Sequence, residues 1–203
     1  MSRLERAPGQ QPEQLPTDGL TPEQDQQLAD LVSRWRGGRI SIPVFTELAR
    51  MIPQSIVEVV LFRRTNGILE TLLIPRPKDD IVWPGMYHTP GTALRASDFH
   101  REDQNPLNGA FERLQSGELN SAFSSAPAFV GRLHRVGDRG PEVVEVYIAE
   151  LFEASTSQLN HVWYPVDQLA SNPNFMQSLH EHVIIAAELY NKRTGEVFGT
   201  NSD

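Results

Sequence analysis

A helix-type hydrophobic pattern occupies the first part of the chain. Four apolar residues recur at i, i+3, i+4 and i+7, which predicts an amphipathic helix: Leu28, Leu31, Val32 and Trp35. The segment Thr21-Pro22-Glu23-Gln24 before them is typical of a helix start, with Thr as N-cap, Pro at N1 and Gln at N3. Gly37-Gly38 is the expected end of this helix.

A second, shorter helix is predicted from Pro43 to Met51, with Phe45, Leu48 and Ala49 facing inward. The apolar stripes of the two helices have two interpretations. The first is packing against the main domain, and the second is a homodimer contact through these N-terminal helices.

From residue 55 the pattern changes to that of strands. Residues 56–62 are rich in β-branched side chains and almost wholly apolar, as in a central strand. Asn66-Gly67 is a strong hairpin signal, so residues 69–74 are expected to return antiparallel to the first strand. The two segments predict the first hairpin of a sheet.

The second half of the chain repeats this pattern and then ends in a helix. Residues 129–136 and 142–152 flank a Gly- and Pro-containing turn at 137–141 and predict a second hairpin. Residues 161–164 form a short strand before Pro165, and residues 175–192 place apolar side chains at helical spacing. His180 and His182 of this helix are two residues apart, so we expect them to face solvent or to cap the helix rather than share a metal.

These patterns divide the chain into four parts. Residues 1–20 carry Gln and Pro without a hydrophobic period and predict a disordered tail. Residues 21–54 form an N-terminal helical extension, residues 55–192 one mixed domain, and residues 193–203 a C-terminal tail. Both hairpins are expected to belong to the sheet of the one domain.

Composition narrows the function classes. The 18 basic and 26 acidic residues give a formal net charge of −8, which argues against a general nucleic-acid coat. Because the chain has no cysteine, it has no disulfide, no thiolate nucleophile and no Cys-based metal site. No apolar run approaches the ~18 residues of a membrane span, and the N-terminus lacks the apolar core of a secretory signal. We therefore expect a cytoplasmic protein without a membrane partner.

A Pro- and Gly-rich loop carries a family resemblance. The run Leu72-Leu73-Ile74-Pro75-Arg76 followed by Trp83-Pro84-Gly85-Met86-Tyr87-His88-Thr89-Pro90-Gly91 resembles the segment that precedes the catalytic loop and helix of Nudix hydrolases. Downstream, Trp163-Tyr164-Pro165-Val166-Asp167-Gln168-Leu169 is similar to a late segment of the same superfamily. The resemblance covers roughly residues 55–190. It implies an α+β fold, an α/β/α sandwich around a mixed β-sheet, here preceded by the two-helix extension.

The resemblance also implies a defined metal site. The family's box is Gly, five residues, Glu, seven residues and then Arg-Glu-U-x-Glu-Glu-x-Gly-U, where U is a bulky aliphatic residue. Its helical carboxylates share one face and converge on Mg²⁺ or Mn²⁺. The metal neutralises a diphosphate and helps to activate a water for attack on phosphorus.

This chain departs from the box. Gly91 matches its first glycine, but Ser97 and Asn105 stand where the family has Glu and Arg. The best helical equivalent, residues 110–118, reverses the Arg-Glu pair and places Ser116 and Gly117 where two metal carboxylates belong. Pro106 prevents a helix that would start at Arg101-Glu102. We therefore predict no metal ligand set, and Mg²⁺ or Mn²⁺ enters only if the protein is a hydrolase.

The residues in and around the Pro- and Gly-rich loop are candidates for binding a ligand. Six residues are candidates for contacting a small phosphorylated ligand: Arg76, Lys78, Trp83, Tyr87, His88 and Arg95. The cations suit phosphate, the aromatic rings suit a base, and the histidine titrates near neutrality. Each has a structural alternative: an ion pair of Arg76 with Asp79 or Asp80, aromatic rings that plug a core edge, and a histidine that only donates structural hydrogen bonds.

Two function classes stay open at this point. The first is a divergent hydrolase of nucleoside-diphosphate-linked or related phosphorylated compounds that uses non-standard carboxylates. Its candidates are the acids of the enlarged loop and helix, Asp98, Glu102, Asp103 and Glu112, with possible help from Glu145 or Glu150 on a strand. The second is a non-catalytic Nudix-like domain that binds a ligand or a protein partner.

Overall fold

The computed structural model describes residues 20–34, 41–80, 82–103, 105–137, 140–151 and 161–195. The predictions for the tails at 1–19 and 196–203 and for Gly37-Gly38 concern residues outside these ranges. The chain divides into two compact units, residues 1–39 and 40–203. The helical extension predicted over residues 21–54 is therefore shared between the units.

The smaller unit contains helix α1, Pro22–Arg34. Its predicted capping box is confirmed: the Thr21 N–H donates to Gln24 Oε1 at 2.9 Å, and the Gln24 N–H donates to Thr21 Oγ1 at 3.3 Å. Leu28, Leu31 and Val32 are exposed along α1. Both interpretations of this apolar stripe, packing and dimerisation, stay predictions.

The larger unit is built on a mixed seven-stranded sheet. Its strands are β1 (Gln54–Thr65), β2 (Ile68–Pro75), β3 (Tyr87–His88), β4 (Gly91–Ala93), β5 (Ala128–Gly137), β6 (Gly140–Ala149) and β7 (Val162–Pro165). The main order is β3-β2-β1-β6-β5, with β4 paired to β1 and β7 paired to β2. Of these strand pairs, β1 and β6 run parallel, and the other five pairs run antiparallel.

Both predicted hairpins are confirmed, and they belong to the same sheet. In the first, Asn66 and Gly67 have φ values of +52° and +81°, as a two-residue type I′ turn requires. In the second, β5 and β6 pair in register up to Gly137 opposite Gly140. The two hairpins meet where β1 runs parallel to β6, which places β1 in the centre of the sheet.

Helices cover the sheet on both faces. The helix α4, His180–Thr194, packs Val183, Ala186 and Ala187 against Val60 and other residues of one face. On the opposite face, Ala110 of helix α3, Pro106–Arg113, and the following Leu114 pack against Val57, Val59 and Leu61. The predicted α/β/α sandwich with a mixed sheet is therefore confirmed.

Helix α2, Ile42–Met51, agrees with the predicted second helix. As expected, Ala49 is buried and Phe45 and Leu48 are half-buried. The helix contacts β6 of the sheet, and the Ala49 carbonyl occupies the space where a side chain at Gly140 would lie. No described helix has the length and apolar character that crossing a membrane demands.

The segment that corresponds to the family's catalytic helix has two geometries. Asn105 caps α3, its side chain accepting the Leu107 N–H at 3.1 Å, and Pro106 occupies the first turn. This confirms that Pro106 excludes a helix beginning at Arg101. After Arg113 the chain continues as a π-helix, Leu114–Leu119, which ends at Asn120 with a φ of +43°.

The C-terminal helix begins later than predicted. Residues 177–179 form a short 3₁₀ turn, and α4 starts only at His180. The expectation that His182 faces solvent or caps the helix is wrong. The first turn of α4 faces the core, because Leu179 and Val183 on either side are buried, and His182 is completely buried with them.

Candidate functional site

A polar cavity of about 170 Å³ opens in the larger unit, beside β4 and the end of β2. Its polar walls include Glu58, Arg76, His88, Glu118, Arg135 and Glu142. Its apolar walls include Phe45 of α2, Ile56 of β1, and Met176 and Leu179 before α4. Eight elements therefore contribute to the lining: α2, β1, β3, β4, the π-helix, β5, β6 and the 3₁₀ turn at 177–179.

Glu58 is a deeply buried acid of this cavity. It lies on the central strand β1, and only 6% of its surface is exposed. The Thr89 hydroxyl donates to its Oε2 at 2.9 Å. Burial raises the pKa of Glu58 to about 8; Arg135 and the Thr89 hydrogen bond oppose this, and Glu118 and Glu142 add to it.

Thr89 links Glu58 to the buried histidine of α4. Its Oγ1 lies 3.1 Å from His182 Nε2 and donates its proton to Glu58, so His182 Nε2 is the donor of the second contact. Burial, helped by the nearby charge of Arg135, lowers the pKa of His182 to about 3. His182 is thus neutral, and the row His182–Thr89–Glu58 connects α4 to the cavity.

Glu118 reaches the cavity from the π-helix. Its Oε2 accepts the Gly91 N–H at 3.2 Å. Burial raises the pKa of Glu118 to about 7, although the Gly91 hydrogen bond and Arg76 lower it. Because π-helical turns are wider than α-helical turns, the segment after Arg113 presents its side chains in directions that α-helical geometry does not predict.

Gly91 separates the two acids. The Glu58 carboxylate packs so closely against its Cα that a Cβ at this position would overlap the carboxyl group. The Gly91 N–H meanwhile donates to Glu118. The absence of a side chain at residue 91 is what allows two carboxyl groups to flank one residue.

Arg76 combines a structural and a cavity-facing role. Its Nε donates to Asp80 Oδ2 at 2.9 Å, which confirms the expected ion pair, and its guanidinium lies 5.3 Å from the centroid of the Trp83 ring. Asp80 also accepts the N–H groups of Val82 and Trp83. Burial raises the pKa of Asp80, but these hydrogen bonds outweigh it, so the net shift is downward. The loop thereby holds Arg76 in the cavity wall.

A second ion pair forms part of another wall of the cavity. Arg135 of β5 donates to Glu142 of β6 at 2.6 Å and to the Ser178 carbonyl at 3.1 Å. The Glu142 side chain is almost completely buried. Each guanidinium that lines the cavity is therefore already matched by a carboxylate.

Solved structures resemble this architecture. The NUDIX domain of Shewanella oneidensis NrtR, from a cocrystal structure with ADP ribose, gives a TM-score of 0.54 at 15% identity, covering 80% of this chain and 97% of that domain. A mutT/nudix family protein from Listeria innocua gives 0.53 at 15% identity, covering 70% and 98%. The chain has the Nudix fold.

The agreement with these structures is one of fold alone. Against two crystal structures of Shewanella oneidensis NrtR, one of them complexed with a 27mer DNA, the TM-score is again 0.54, at 18% and 16% identity. These alignments cover 69% and 68% of this chain but only 64% and 62% of the NrtR chains. No family model and no curated protein matches the sequence.

Within this Nudix fold, the predicted binding residues are distributed unevenly. Arg76 and the buried His88 line the cavity, whereas the other four do not. Lys78 and Arg95 are exposed. Trp83 is part of the hydrophobic core, and Tyr87 packs partly against the same cluster. A ligand-binding role for these six residues stays a prediction.

The predicted catalytic acids lie outside the cavity lining. Asp98 is buried in an ion pair with Arg113, and Glu112 binds Arg101 through both carboxylate oxygens at 2.7 and 2.8 Å. Asp103 accepts hydrogen bonds from Arg101, Asn105 and Asn108, and Glu145 forms an ion pair with Arg132. Glu102 and Glu150 are exposed.

The residues present do not fit the divalent metal that the Nudix resemblance implies. The π-helix carries Ser116 and Gly117 at the expected ligand positions, and Glu118 is the acid it presents to the cavity. Among the described residues, no group of three or more Asp, Glu or His side chains is close enough to hold a metal ion. Glu58 and Glu118 also retain their protons more readily than ordinary carboxyls.

Sequence reasoning did not identify five residues at this site: Glu58, Thr89, Glu118, Arg135 and His182. A signal was available for Glu58, since an acid inside an apolar strand requires a buried partner. Glu118 lies six residues after Glu112, and on an α-helix this spacing places the two acids on different faces. Its role depends on the π-helix, which no local pattern in residues 114–119 predicts.

Proposed function

We propose that this chain is a ligand-binding Nudix-fold domain for small phosphorylated compounds of the nucleoside-diphosphate-linked class, without metal-dependent diphosphate hydrolysis. The observation that carries the proposal is the composition of the helical segment beside the cavity. Where the family has metal-binding carboxylates, this segment has Ser116 and Gly117. Hard divalent cations need several oxygen ligands in one place.

Two observations support a phosphorylated ligand. Arg76 is fixed in the cavity wall by Asp80, so its guanidinium is already oriented for a second contact. The NUDIX domain of NrtR, which has the same fold, is named in complex with ADP ribose. Without a metal, side-chain cations such as Arg76 must carry the recognition of phosphate.

A binding experiment tests this proposal. A thermal-shift panel of nucleotides, nucleotide sugars and ADP-ribose identifies a compound, and calorimetric titration then compares Arg76→Ala and Arg95→Ala with the unmodified protein. The loss of the Arg76 contact should weaken binding about 10- to 150-fold, and Arg95→Ala tests whether the ligand extends to the exposed Arg95 outside the cavity lining. Arg132→Ala is the matched control, because Arg132 forms an exposed ion pair outside the cavity and its removal should leave affinity unchanged. Unchanged affinity in both test variants would place the ligand elsewhere.

A second measurement separates binding from hydrolysis. The same compound is incubated with the protein and Mg²⁺ or Mn²⁺, and the products are followed by chromatography. We expect the compound to remain intact. Metal-dependent cleavage that Glu118→Gln abolishes would establish the divergent-hydrolase alternative. A panel without any hit would support the alternative of a protein-interaction domain.

A further inference from the structure

Six ionisable side chains of the described chain line one small cavity: Glu58, Arg76, His88, Glu118, Arg135 and Glu142. They surround a volume of about 170 Å³. An engineered protein cavity of about 150 Å³ holds one benzene molecule, whereas complete drug-sized ligands occupy pockets of about 300–1,000 Å³. The cavity therefore has room for a phosphate group and not for a whole nucleotide, and its charged walls act on that phosphate at short range.

Carboxyl groups outnumber guanidinium groups at this cavity. Each guanidinium is already matched by a carboxylate, in two ion pairs: Arg76 with Asp80 and Arg135 with Glu142. Neither Glu58 nor Glu118 takes part in an ion pair with a described residue. If all of these groups are ionised, four carboxylates stand against two guanidiniums. The excess negative charge then lies on Glu58 and Glu118.

A phosphate group is repelled by this excess charge. Only 6% of the Glu58 surface is exposed, so little water screens its charge from a ligand in the cavity. A proton on Glu58 and another on Glu118 remove both excess charges. A protonated carboxyl also donates a hydrogen bond, which an ionised carboxylate does not, and phosphate oxygens are acceptors. Protonation thus converts two groups that repel a phosphate into two groups that bind it.

The hydrogen bonds of the two carboxyls leave one oxygen of each for such a proton. Glu58 Oε2 accepts the Thr89 hydroxyl at 2.9 Å, and Glu118 Oε2 accepts the Gly91 N–H at 3.2 Å. From the described residues, no hydrogen bond reaches Oε1 of either carboxyl. A proton on Oε1 therefore leaves both of these contacts in place.

The surroundings of the two acids hold their protons near neutral pH. Burial raises the pKa of Glu58 to about 8; Arg135 opposes this, whereas Glu118 and Glu142 add to it. Burial also raises the pKa of Glu118 to about 7. The other buried neighbour, His182 of α4, is neutral at these pH values. The cavity therefore loses its two protons as the pH rises through about 7 for Glu118 and about 8 for Glu58.

We propose that a phosphorylated ligand enters this cavity together with protons on Glu58 and Glu118, so that the release of these protons weakens its binding. Arg76 supplies positive charge to the phosphate, and the two protonated carboxyls supply hydrogen-bond donors. The inference rests on the proposed function and deepens it, because it adds control by pH to the same site.

Calorimetric titration with ADP-ribose and AMP at pH 7 and pH 9 tests the inference. The charge of both compounds is nearly constant over this range, because phosphate groups release their last proton near pH 6 or below. The fraction of the protein that holds a proton on Glu58 falls from about nine-tenths to about one-tenth between these pH values. The dissociation constant should therefore rise at least about 10-fold.

Two variants locate this effect. In the double variant Glu58→Gln/Glu118→Gln neither side chain ionises, so the dissociation constant should change less than about 2-fold between the two pH values. Glu47→Gln, which breaks an exposed ion pair on α2, is the matched control and should keep the full pH dependence. A double variant with the pH dependence of the unmodified protein would overturn the inference.

A second measurement uses the unmodified protein alone. At pH 8, titrations in two buffers of different ionisation enthalpy give the number of protons that the protein takes up for each ligand bound. We expect about one proton or more. Binding without proton uptake, at an affinity that is equal at pH 7 and pH 9, would overturn the inference and leave the phosphate proposal intact.

The remaining outcomes separate the inference from the proposed function. If AMP binds with proton uptake and ADP-ribose does not bind, the inference stands and the diphosphate-linked ligand class is wrong. If neither compound binds at any pH between 6 and 9, both the inference and the phosphate proposal are wrong.

Discussion

Arg113 on α3 forms an ion pair with Asp98, whose surface is only 3% exposed, and this pair ties the loop after β4 to the helix beside the cavity. The second guanidinium nitrogen of Arg113 donates to the Ala93 carbonyl at 2.9 Å. Asp98 also accepts the Arg95 N–H at 2.8 Å. The three contacts set the position from which the π-helix begins.

The first prediction concerns this pair. Asp98→Asn should lower the free energy of unfolding by about 2–4 kcal/mol, because it leaves the Arg113 charge without its carboxylate. The expected loss is at the lower end for buried pairs, since 23% of the Arg113 side chain remains exposed. Urea denaturation measures it. Glu112→Gln, which breaks the exposed pair with Arg101, is the control and should cost less than about 1 kcal/mol. Equal losses in the two variants would contradict the prediction.

The second prediction concerns Gly91. Gly91→Ala should destabilise the protein by about 1–3 kcal/mol, because the new Cβ overlaps the Glu58 carboxyl and forces it to move. Gly131→Ala on β5 is the matched control, since a Cβ there meets no atom within 4 Å and should leave stability within about 0.5 kcal/mol. Thermal melting of the two variants makes the comparison. A Gly91→Ala variant as stable as Gly131→Ala would show that the carboxyl group relocates freely.

The third prediction concerns pH. Because the folded-state pKa of Glu58 is about 8 and its ordinary value is 4.5, the folded protein holds a proton that the unfolded chain has released between these pH values. Stability therefore falls as pH rises through this range, by at most about 1.4 kcal/mol per pH unit for one group. His182 acts oppositely, with a folded-state pKa of about 3 against 6.5, so stability rises with pH between these values.

The two effects of pH separate above about pH 7.5, one unit above the ordinary histidine pKa of 6.5, where His182 is largely neutral in both states. From there to about pH 8 the loss is due mainly to Glu58, because Glu118, with a pKa of about 7, has by then released most of its proton. Urea midpoints measured across this range should fall for the unmodified protein and stay nearly level for Glu58→Gln. Arg135, Glu142 and Thr89 also interact with Glu58, so its replacement could disturb their packing. The comparison is therefore valid only if Glu58→Gln still unfolds in one cooperative transition. An equal decline in both proteins would contradict the assignment to Glu58.

Much of the fold could be predicted because its determinants are local. Asn66-Gly67 fits a type I′ turn through its own backbone preferences, and Thr21 and Gln24 cap α1 through a contact between residues three apart. Pro106 marks the start of α3 because proline suits the first helical turn. Such signals act within a few residues and are legible in one sequence.

The site could not be predicted in the same way, because its residues meet over long sequence separations. Glu58 and Thr89 are 31 residues apart, and Thr89 and His182 are 93 apart. The spacing of His180 and His182 predicts two rings that point away from each other and face solvent or cap the helix, yet the packing of α4 buries His182. Glu118 reaches the cavity because of the π-helix and the close approach of Gly91. Neither feature follows from the helix or strand propensities of the residues involved.

The last prediction concerns divalent cations. The purified protein should bind Mn²⁺ or Mg²⁺ no more tightly than an ordinary acidic surface does, because a hard cation needs several oxygen ligands together. In the cavity, Glu58 and Glu118 each lie beside Gly91, but Ser116 and Gly117 add no carboxylate and Glu112 is held by Arg101 on the outside. Titration of Mn²⁺ followed by electron paramagnetic resonance gives the affinity directly. One-site binding at micromolar Mn²⁺ that Glu118→Gln or Glu112→Gln removes would overturn the prediction and favour the hydrolase interpretation. Weak binding that is equal in both variants and in the unmodified protein would match the carboxyl arrangement of the site.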